Sequence, residues 1–253
     1  MSSYRLNNPQ PGVLYYATGG DMVRLSVNID HTATVRELRQ TPYPDIIEVA
    51  NCVERGGAYG ITVHLRIDRR HIKETDIERL LKEVDLPLNV ELSMAPDIVE
   101  FILQKRPHSV CLVPERPGEV TTEGGLNVFK TEAQLKEVIP EFKAKGIKVT
   151  LFVEPNPTVL EKAKAFGADA VELNTAHYSE NKPGAFDKLK SAARFGKTIG
   201  LEIHAGHGLH YCNVVKLREI AEIEELSIGH SIVARALIVG MEQATREMVE
   251  LLR

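Results

Sequence analysis

The sequence is poor in the features that mark secreted, membrane-bound and nucleic-acid-binding proteins. It has only three cysteines, at spacings that form neither a disulfide framework nor a C-x-x-C zinc or redox motif, so we expect reduced thiols. No apolar run approaches the roughly 20 residues that a membrane span needs, and no secretory signal is visible at the N-terminus. With 31 basic against 35 acidic residues, the chain lacks the positive excess typical of nucleic-acid binders. These absences predict a cytoplasmic protein that binds neither membranes nor nucleic acid.

What is present is the composition of an ordinary globular domain. The 253 residues are 43% hydrophobic and 26% charged, which is enough to bury a sizeable core. Residues 1–21 are polar and contain prolines and a Gly-Gly pair, so we expect a flexible leader outside the fold. Residues 22–253 hold no linker and no low-complexity tract, and we expect them to form a single domain.

One unit repeats along this domain: a short apolar strand, a polar loop, an amphipathic helix and a glycine. Most strands are near-continuous runs of Val, Ile and Leu, as expected of a parallel sheet covered on its outer face. Helices are predicted at 45–55, 135–145, 158–166 and 232–252, and the first three end at glycines that supply a left-handed turn. The eight predicted strands are residues 24–30 (RLSVNID), 60–65 (GITVHL), 88–93 (LNVELS), 109–114 (SVCLVP), 148–154 (KVTLFVE), 170–175 (AVELNT), 201–205 (LEIHA) and 226–229 (LSIG).

Eight strands that alternate with helices form either a closed barrel or an open, doubly wound sheet. The nucleotide-binding patterns of open sheets, G-x-G-x-x-G and G-x-x-x-x-G-K-[ST], do not occur in this sequence. Eight is also the strand number at which a closed barrel is filled by its own side chains. We therefore predict an α/β fold, a (β/α)8 TIM barrel with additional helices.

In such a barrel the active site forms at the C-terminal ends of the strands. Because an isolated ionisable group in an apolar strand is costly to bury, several of them at one end of the barrel predict a shared, solvated cavity. The polar and ionisable residues at these ends are Asn28, Asp30 and His31 at strand 1, His64 and Arg66 at strand 2, Glu91 on strand 3, Glu154 on strand 5, Glu172 on strand 6, His204 and His207 at strand 7 and His230 at strand 8.

Taken singly, these residues also have structural explanations, and only their convergence favours a functional one. The structural alternatives are a hydrogen-bonded core histidine for His64, a fixed pairing with Arg66 for Glu91, a turn cap for Glu154, a loop anchor for Glu172, and for His204 a ring that points away from His207 and packs against a helix.

Glycine-rich loops follow the last two strands. The segment AGHG at 205–208 precedes a helix expected near Asn213, and IGHS at 228–231 opens directly into the final helix. Glycines let backbone N–H groups approach an anion, and a helix N-terminus adds a favourable dipole, which is the usual phosphate position in such barrels, although tight turns alone would also explain the glycines. A polar loop at 115–129 and the run RIDRRH at 66–71 are further candidate binding elements, the latter being either a phosphate site or a solvated charge run.

The strand ends also restrict the chemistry. No lysine lies at the C-terminal end of a predicted strand, and Lys148 lies at the opposite end, so a lysine Schiff-base aldolase is not expected. A divalent metal could in principle bind to His204, His207, Glu91 and Glu172, but two histidines three residues apart across a turn are not a dependable ligand pair. Histidine and glutamate without a metal suit proton transfer near neutral pH.

Several long motifs, in order along the chain from about Leu25 to the C-terminus, resemble those of the pyridoxine 5′-phosphate synthase family. They are 27–39 (VNIDHTATVRELR), 60–72 (GITVHLRIDRRHI), 89–94 (NVELSM), 111–126 (CLVPERPGEVTTEGGL), 205–211 (AGHGLHY) with Asn213, and 228–232 (IGHSI). The resemblance implies a transferase-class, ring-closing enzyme without metal or cofactor, built on a barrel with extra helices and assembled as a homo-octamer.

The resemblance also implies the reaction and the residues that perform it. The substrates would be 3-amino-2-oxopropyl phosphate and 1-deoxy-D-xylulose 5-phosphate, and the products pyridoxine 5′-phosphate, phosphate and water. By position, the proton acceptors would be His64 and Glu91, the proton donor His207, and the carboxylate that stabilises the transition state Glu172. The implied substrate-binding residues are Asn28, Arg39, Gly208, Gly229 and His230 for the aminoketone phosphate, and Asp30, His31, Arg66, His71 and Thr121 for the pentulose phosphate.

Two other hypotheses stay open beside the metal-free synthase. One is a metal-dependent aldolase or isomerase that acts on a phosphosugar on a similar barrel. The other is a phosphometabolite-binding sensor without catalysis, which the mixture of Glu and His at the strand ends disfavours, because binding alone needs fewer proton carriers.

Overall fold

Eight parallel strands form one closed barrel within residues 23–115 and 124–253, the part of the chain that the computed structural model describes. The strands are β1 (Arg24–Asn28), β2 (Gly60–Leu65), β3 (Leu88–Leu92), β4 (Ser109–Leu112), β5 (Lys148–Val153), β6 (Ala170–Asn174), β7 (Glu202–Gly206) and β8 (Glu225–Ile228). Each strand pairs with the next along the chain, and β8 closes the ring by pairing with β1, so the predicted barrel is confirmed.

Helices cover the outside of the barrel. Those of the described residues are α1 (Asp30–Arg39), α2 (Ile46–Arg55), α3 (Glu74–Glu83), α4 (Pro96–Lys105), α5 (Glu132–Ala144), α6 (Pro157–Ala165), α7 (Ala176–Ser179), α8 (Ala185–Thr198), α9 (Val214–Leu217), α10 (His230–Val239) and α11 (Met241–Leu252). None of these helices combines the length and the apolar character that a bilayer crossing requires.

Local sequence signals set several of the helix ends. The Asp45 carboxylate caps α2 by accepting the N–H of Ile47 at 2.8 Å, and Gly56 follows the last helical residue. Helix α6 begins at Pro157, where the missing N–H would have had no partner in the first turn. The helix predicted at 135–145 begins earlier than expected, at Glu132.

The prediction of one long C-terminal helix at 232–252 is wrong. The chain forms α10 and α11, which meet at Gly240 with φ 83° and ψ 155°. Side-chain-bearing residues rarely adopt this backbone conformation, so a glycine allows the chain to turn here and α11 to pack against α2 and α10.

The strands alternate in polarity, which corrects the expectation of near-continuous apolar runs. On β2, Ile61 and Val63 are part of the apolar layer under the helices, whereas the Thr62 hydroxyl lies 2.7 Å from that of Ser26 inside the lumen. Barrels of this class usually fill the lumen with branched apolar side chains. Here the lumen is lined by polar groups that contact one another, including Ser26, Thr62, Asn89, Ser109, Cys111 and Glu172.

An ion cluster occupies the N-terminal end of the lumen, next to a cavity of about 80 Å³. Glu202 contacts both Arg24 and Lys148, and the Arg24 Nε lies 3.2 Å from Glu225 Oε2. His204 belongs to this cluster, since its Nε2 lies 2.9 Å from Glu202 Oε1. His204 thus points away from the mouth of the barrel, but it packs inside the lumen and not against a helix, because it lies on the inward face of β7.

Three sequence predictions fall wholly or largely outside the described residues. These are the leader at 1–21, the binding loop at 115–129, of which 116–123 are not described, and the pentulose-phosphate contact of Thr121.

Candidate active site

The His64 side chain lies between two carboxyl groups at the C-terminal end of β2. Its Nε2 is 3.1 Å from Glu115 Oε1, and its Nδ1 is 3.6 Å from Glu91 Oε2. Only 4% of the His64 side chain is exposed. The backbone N–H of His64 donates to Asp30 Oδ1 at 2.8 Å, which fixes the strand end on which the ring is carried.

Asn28 and Asp30 together connect the ends of β1, β2 and β8. Asp30 is the first residue of α1 and not the last of β1 as expected, and its backbone N–H donates to Asn28 Oδ1. The Asn28 amide in turn donates to Asp30 Oδ2 at 3.0 Å. A Cβ on Gly229 would lie 3.0 Å from that of Asn28, so the turn after β8 is in close contact with the same group. The structure therefore brings the predicted residues Asn28, Asp30, His64, Glu91 and Gly229 together at one mouth.

Two carboxyl groups face the upper lumen and influence each other. Burial, followed by the charges of Glu172 and Asp30, raises the pKa of Glu91 well above its usual value. Burial also raises the pKa of Glu172 to about 7, against the opposing charge of His204. The Cys111 thiol donates a hydrogen bond to Glu172 Oε2 at 3.9 Å. At neutral pH this pair holds at least one proton that a reaction can use.

His207 follows β7 in a left-handed conformation, with φ 81°. Its carbonyl accepts hydrogen bonds from the Thr175 and Ser179 hydroxyls, which stabilise this turn. The ring lies 6.4 Å from that of Phe152, measured between centroids. Burial lowers the pKa of His207, opposed by the charge of Glu154, so the unliganded ring is neutral near pH 7 and gains a proton when negative charge arrives.

The N-terminus of α10 faces the mouth beside two histidines. His230 is the first residue of this ten-residue helix, and its Nδ1 lies 3.2 Å from the Nδ1 of His31. Burial lowers the pKa of His31, and the neighbouring His230 acts in the same direction. Free N–H groups at the helix start and two imidazoles form a site that an anionic group would favour. The helix expected after Gly208 is only the four-residue α9, so it adds little dipole.

Of the remaining predicted binding residues, Arg66 and His71 lie near the mouth and Arg39 does not. Arg66 and His71 are buried near His64, and the His71 ring centroid lies 6.3 Å from that of His64. Burial lowers the pKa of His71, opposed by the charge of Asp30. Arg39 is the last residue of α1, about 13 Å along the helix axis from Asp30, and it is exposed. This chain alone does not bring Arg39 to the mouth.

A metal ion would find a different ligand set from the one expected. Among the described residues, Asp30, His64 and Glu91 offer ligand atoms within 4.8 Å of one another. The set inferred from the sequence is not assembled, because His204 lies with the ion cluster at the other end of the lumen. Both Asp30 oxygens and the His64 Nε2 already have hydrogen-bond partners within the chain.

Sequence reasoning missed two residues at this site. The sequence places Glu115 only in a polar loop, although it follows the end of β4 as other site residues follow their strands. Cys111 is predicted from sequence only as a reduced thiol, and the inward direction of alternate β4 residues identifies it as a partner of Glu172. Glu154 accepts the N–H of Gly125 and the amide of Asn174 and thereby joins Gly125 to the end of β6, so it is not only a turn cap.

Comparison with known proteins identifies close relatives over nearly the whole chain. The profile of the family described as "Pyridoxal phosphate biosynthesis protein PdxJ" matches residues 25–253. A curated protein of Pelodictyon phaeoclathratiforme named pyridoxine 5′-phosphate synthase is 44% identical over 236 residues, which cover 91% of this chain and 100% of the relative. One of the same name from Thioalkalivibrio sulfidiphilus is 46% identical over 231 residues, covering 89% and 94%.

Solved structures share the architecture at low sequence identity. A 3-hexulose-6-phosphate synthase superposes with a TM-score of 0.64 at 13% identity, over 91% of this chain and 100% of that one. Phosphoribosyl anthranilate isomerase from Thermus thermophilus gives 0.59 at 14% identity, over 91% and 98%. At these identities the likeness concerns the barrel fold alone.

Proposed function

The chain belongs to the PdxJ family and is thus an enzyme of vitamin B6 biosynthesis, and on that premise we propose its reaction and the residues that perform it. The reaction is the condensation of 3-amino-2-oxopropyl phosphate with 1-deoxy-D-xylulose 5-phosphate to pyridoxine 5′-phosphate, with release of phosphate and water, a transferase-class ring closure. The observation that carries the proposal is the arrangement of His64, Glu91 and Glu172 in one polar mouth beside the N-terminus of α10.

Ring closure by this route needs repeated proton transfer more than an external electrophile. The amine of one substrate attacks the ketone of the other, loses protons, and the former carbonyl oxygen must be protonated before it leaves as water. The described strand ends carry no lysine, and Lys148 pairs with Glu202 at the other end of the lumen. The substrate's own amine can therefore take the place of an enzymic one, with side chains that only move protons.

We assign the proton-acceptor role to His64 and Glu91, the donor role to His207, and stabilisation of charge in the transition state to Glu172. Burial raises the pKa of Glu91 well above its usual value and so favours the protonated form of this carboxyl in the unliganded site. A bound ammonium group would favour the carboxylate, so Glu91 becomes an acceptor once the aminoketone is present. His207, neutral when the site is empty, gains its proton when a substrate phosphate binds nearby.

The two substrate phosphates need two anion sites. The aminoketone phosphate is assigned to Gly208, Gly229, His230 and the start of α10, with Asn28 beside them. The pentulose phosphate is assigned to Asp30, His31, Arg66 and His71, together with Thr121. Contact between His31 and His230, with ring centroids 5.1 Å apart, supports adjacent subsites whose ligands can react.

The decisive experiment is a two-substrate assay with the purified protein and a chelator. We expect a product with the absorbance and mass of pyridoxine 5′-phosphate and release of phosphate, neither of which forms when one substrate is omitted. In the same assay Glu91→Gln and His207→Ala should lose about 100-fold or more in turnover, whereas Glu100→Gln, on the exposed side of α4, should keep it. Absence of the product from the wild-type mixture would refute the reaction.

The metal-dependent alternative has one supporting observation, the cluster of Asp30, His64 and Glu91. It predicts activity that the chelator abolishes and that added zinc or magnesium restores. A sensor would instead bind a substrate and return it unchanged after hours of incubation.

We also propose that the protein assembles as a homo-octamer. Large apolar side chains remain exposed on α1 and α10, among them Leu38 at 80% and Leu237 at 77%, and the two helices are in contact. Large exposed apolar side chains on two neighbouring helices are typical of an interaction site. Light scattering should give the mass of eight chains, Leu237→Lys should reduce it, and the matched control Val215→Lys on α9 should not. A single-chain mass for the wild type would refute the assembly.

A further inference from the structure

Glu115 is a buried carboxylate that the proposed reaction leaves without a role. Its side chain is only 5% exposed, directly after β4. One oxygen, Oε1, lies 3.1 Å from His64 Nε2, and the other, Oε2, accepts the backbone N–H of Ile67 at 3.0 Å. The carboxylate thus contacts both the ring at the end of β2 and the loop that follows.

We infer that Glu115 is a positioning residue that holds His64 as the Nε2–H tautomer, so that Nδ1, the nitrogen that faces Glu91, is the one that accepts the substrate proton. This inference rests on the proposed function, in which His64 is a proton acceptor, and it adds which of its nitrogens does the work and what selects it.

The hydrogen-bond donors and acceptors around Glu115 support the Nε2–H tautomer of His64. An ionised carboxylate only accepts hydrogen bonds, so both of its partners must donate. Burial raises the pKa of Glu115, but the hydrogen bonds from His64 and from the Ile67 amide outweigh it, and the pKa lies below its usual value. Glu115 is therefore ionised at neutral pH, His64 Nε2 must carry a hydrogen, and a neutral ring then has its lone pair on Nδ1.

The surroundings of the ring leave Nδ1 directed at the reacting centre. At 3.6 Å, the Nδ1–Glu91 separation is too long for a hydrogen bond, which leaves this nitrogen available to a substrate. The titratable and charged groups around the imidazole are Asp30 from α1, Arg66 and His71 after β2, Glu91 from β3 and Glu115 after β4. Among them, Glu115 is the group that contacts Nε2 directly.

Glu115→Gln separates a tautomer effect from loss of packing, because the two side chains have nearly the same shape. The amide has one accepting oxygen in place of two, so it cannot accept from both His64 and Ile67. If its oxygen stays with the Ile67 N–H, its NH2 group faces Nε2 and selects the Nδ1–H tautomer, which cannot accept a proton at Nδ1. We expect kcat to fall about 100-fold with KM changed less than about threefold, and the acid limb of the pH–rate profile to move to lower pH, because a neutral amide no longer stabilises an imidazolium.

A matched control is Asp169→Asn at the opposite end of the barrel. Asp169 likewise accepts one backbone N–H, from Val149, and one side-chain donor, from Lys143. Asp169→Asn should lose stability while kcat and the pH profile stay those of the wild type.

A second measurement does not depend on the variant's folding. The ¹⁵N shifts of the neutral His64 ring in the wild type, assigned by comparison with His64→Gln, should report a hydrogen on Nε2 and a lone pair on Nδ1. A ring protonated at Nδ1, or a Glu115→Gln variant with unchanged kcat and pH profile, would overturn the inference. The kinetic result requires an active wild type and the ¹⁵N result requires only the folded protein, so both are distinguishable from failure of the proposed reaction, in which the wild type itself gives no product.

Discussion

A carboxylate oxygen of Glu172 lies where any side chain on Gly206 would have to be, with Oε1 2.2 Å from the position that a Cβ would take. Real Cβ atoms essentially never approach a neighbour so closely, so the residue at the end of β7 must be glycine while Glu172 keeps this position. The two residues lie on neighbouring strands, both facing the lumen. The end of β7 is thus shaped by the β6 carboxylate to which we assign the stabilisation of charge in the transition state.

Gly206→Ala should displace the Glu172 carboxylate and lower turnover. An added methyl group forces either the carboxylate or the strand end to move, and a shift of about 1 Å in a catalytic group can cost about 100-fold in rate. We expect kcat to fall by about 10- to 100-fold in the two-substrate assay. Gly196→Ala in α8 is the control, since its Cβ would press on the Ile203 side chain at 2.5 Å away from the mouth. That variant should lose stability but keep kcat; equal losses of kcat in both would contradict the argument.

Glu172 should also make the free energy of unfolding depend on pH, in the direction opposite to that of an acidic residue whose pKa is lowered by folding. Burial raises its pKa from 4.5 to about 7, so as pH rises through this window the unfolded chain ionises while the folded chain retains the proton. The contribution of Glu172 to stability is therefore complete below the unfolded pKa and lost as pH rises through the folded one. Relative to the wild type, Glu172→Gln should gain up to a few kcal/mol between about pH 4 and about pH 8 in urea titrations. A difference that does not change with pH would contradict the raised pKa.

The barrel was predictable because its signals are local and repeat eight times. Each short run rich in Val, Ile and Leu, followed by a helix and a glycine, specifies one βα unit, and closure follows from their number. The break at Gly240 was not predictable from periodicity, because a single glycine inside an otherwise helical pattern does not by itself end a helix. Only the backbone conformation at that glycine separates the two helices.

The site was predictable to the extent that strand ends converge. Asn28, Asp30, His64 and Glu91 meet as the strand positions indicate, since the C-terminal ends of parallel strands share one mouth. How deep each inward-facing residue lies in the lumen was not predictable, because it depends on the register between strands. The sequence therefore does not separate His204 from the site residues, although in the structure it is hydrogen-bonded to Glu202 in the ion cluster.

Asp76→Asn should destabilise the protein and weaken substrate binding. The Asp76 carboxylate makes two parallel hydrogen bonds of 2.8 Å with the Arg36 guanidinium, joining α3 to α1 in a buried setting. Asp76→Asn removes the negative charge that faces this buried guanidinium and leaves Glu37 as its carboxylate partner, at a cost of about 2 kcal/mol. Since α1 carries Asp30 and His31 at its start, KM should rise as well. Glu74→Gln, which weakens the more exposed pair with Arg69, should cost less than about 1 kcal/mol in the same denaturation experiment, and similar losses in both would count against the buried pair.

The ion cluster at the N-terminal end of the lumen should contribute to stability without affecting catalysis. Glu202 lies between Arg24 and Lys148, and the hydrogen bond from His204, followed by that from Lys148, holds the pKa of this carboxyl well below its usual range. Its contribution is therefore present above the unfolded pKa of about 4.5 and lost as pH falls below it.

Glu202→Gln leaves the Arg24 and Lys148 cations side by side in the lumen. The free energy of unfolding should fall by on the order of 2 kcal/mol at neutral pH. This is less than for a fully buried pair, because about a quarter of each side chain is exposed. The second substitution, Lys148→Met, removes one of these cations. The double variant should therefore lose about 1 kcal/mol less unfolding free energy than the two single variants lose together. Urea denaturation of the four proteins measures this coupling, and kcat should stay at the wild-type value because the mouth lies at the other end of the barrel. Strictly additive losses would mean that the two side chains act independently, and a large loss of kcat would mean that the two ends of the lumen are linked.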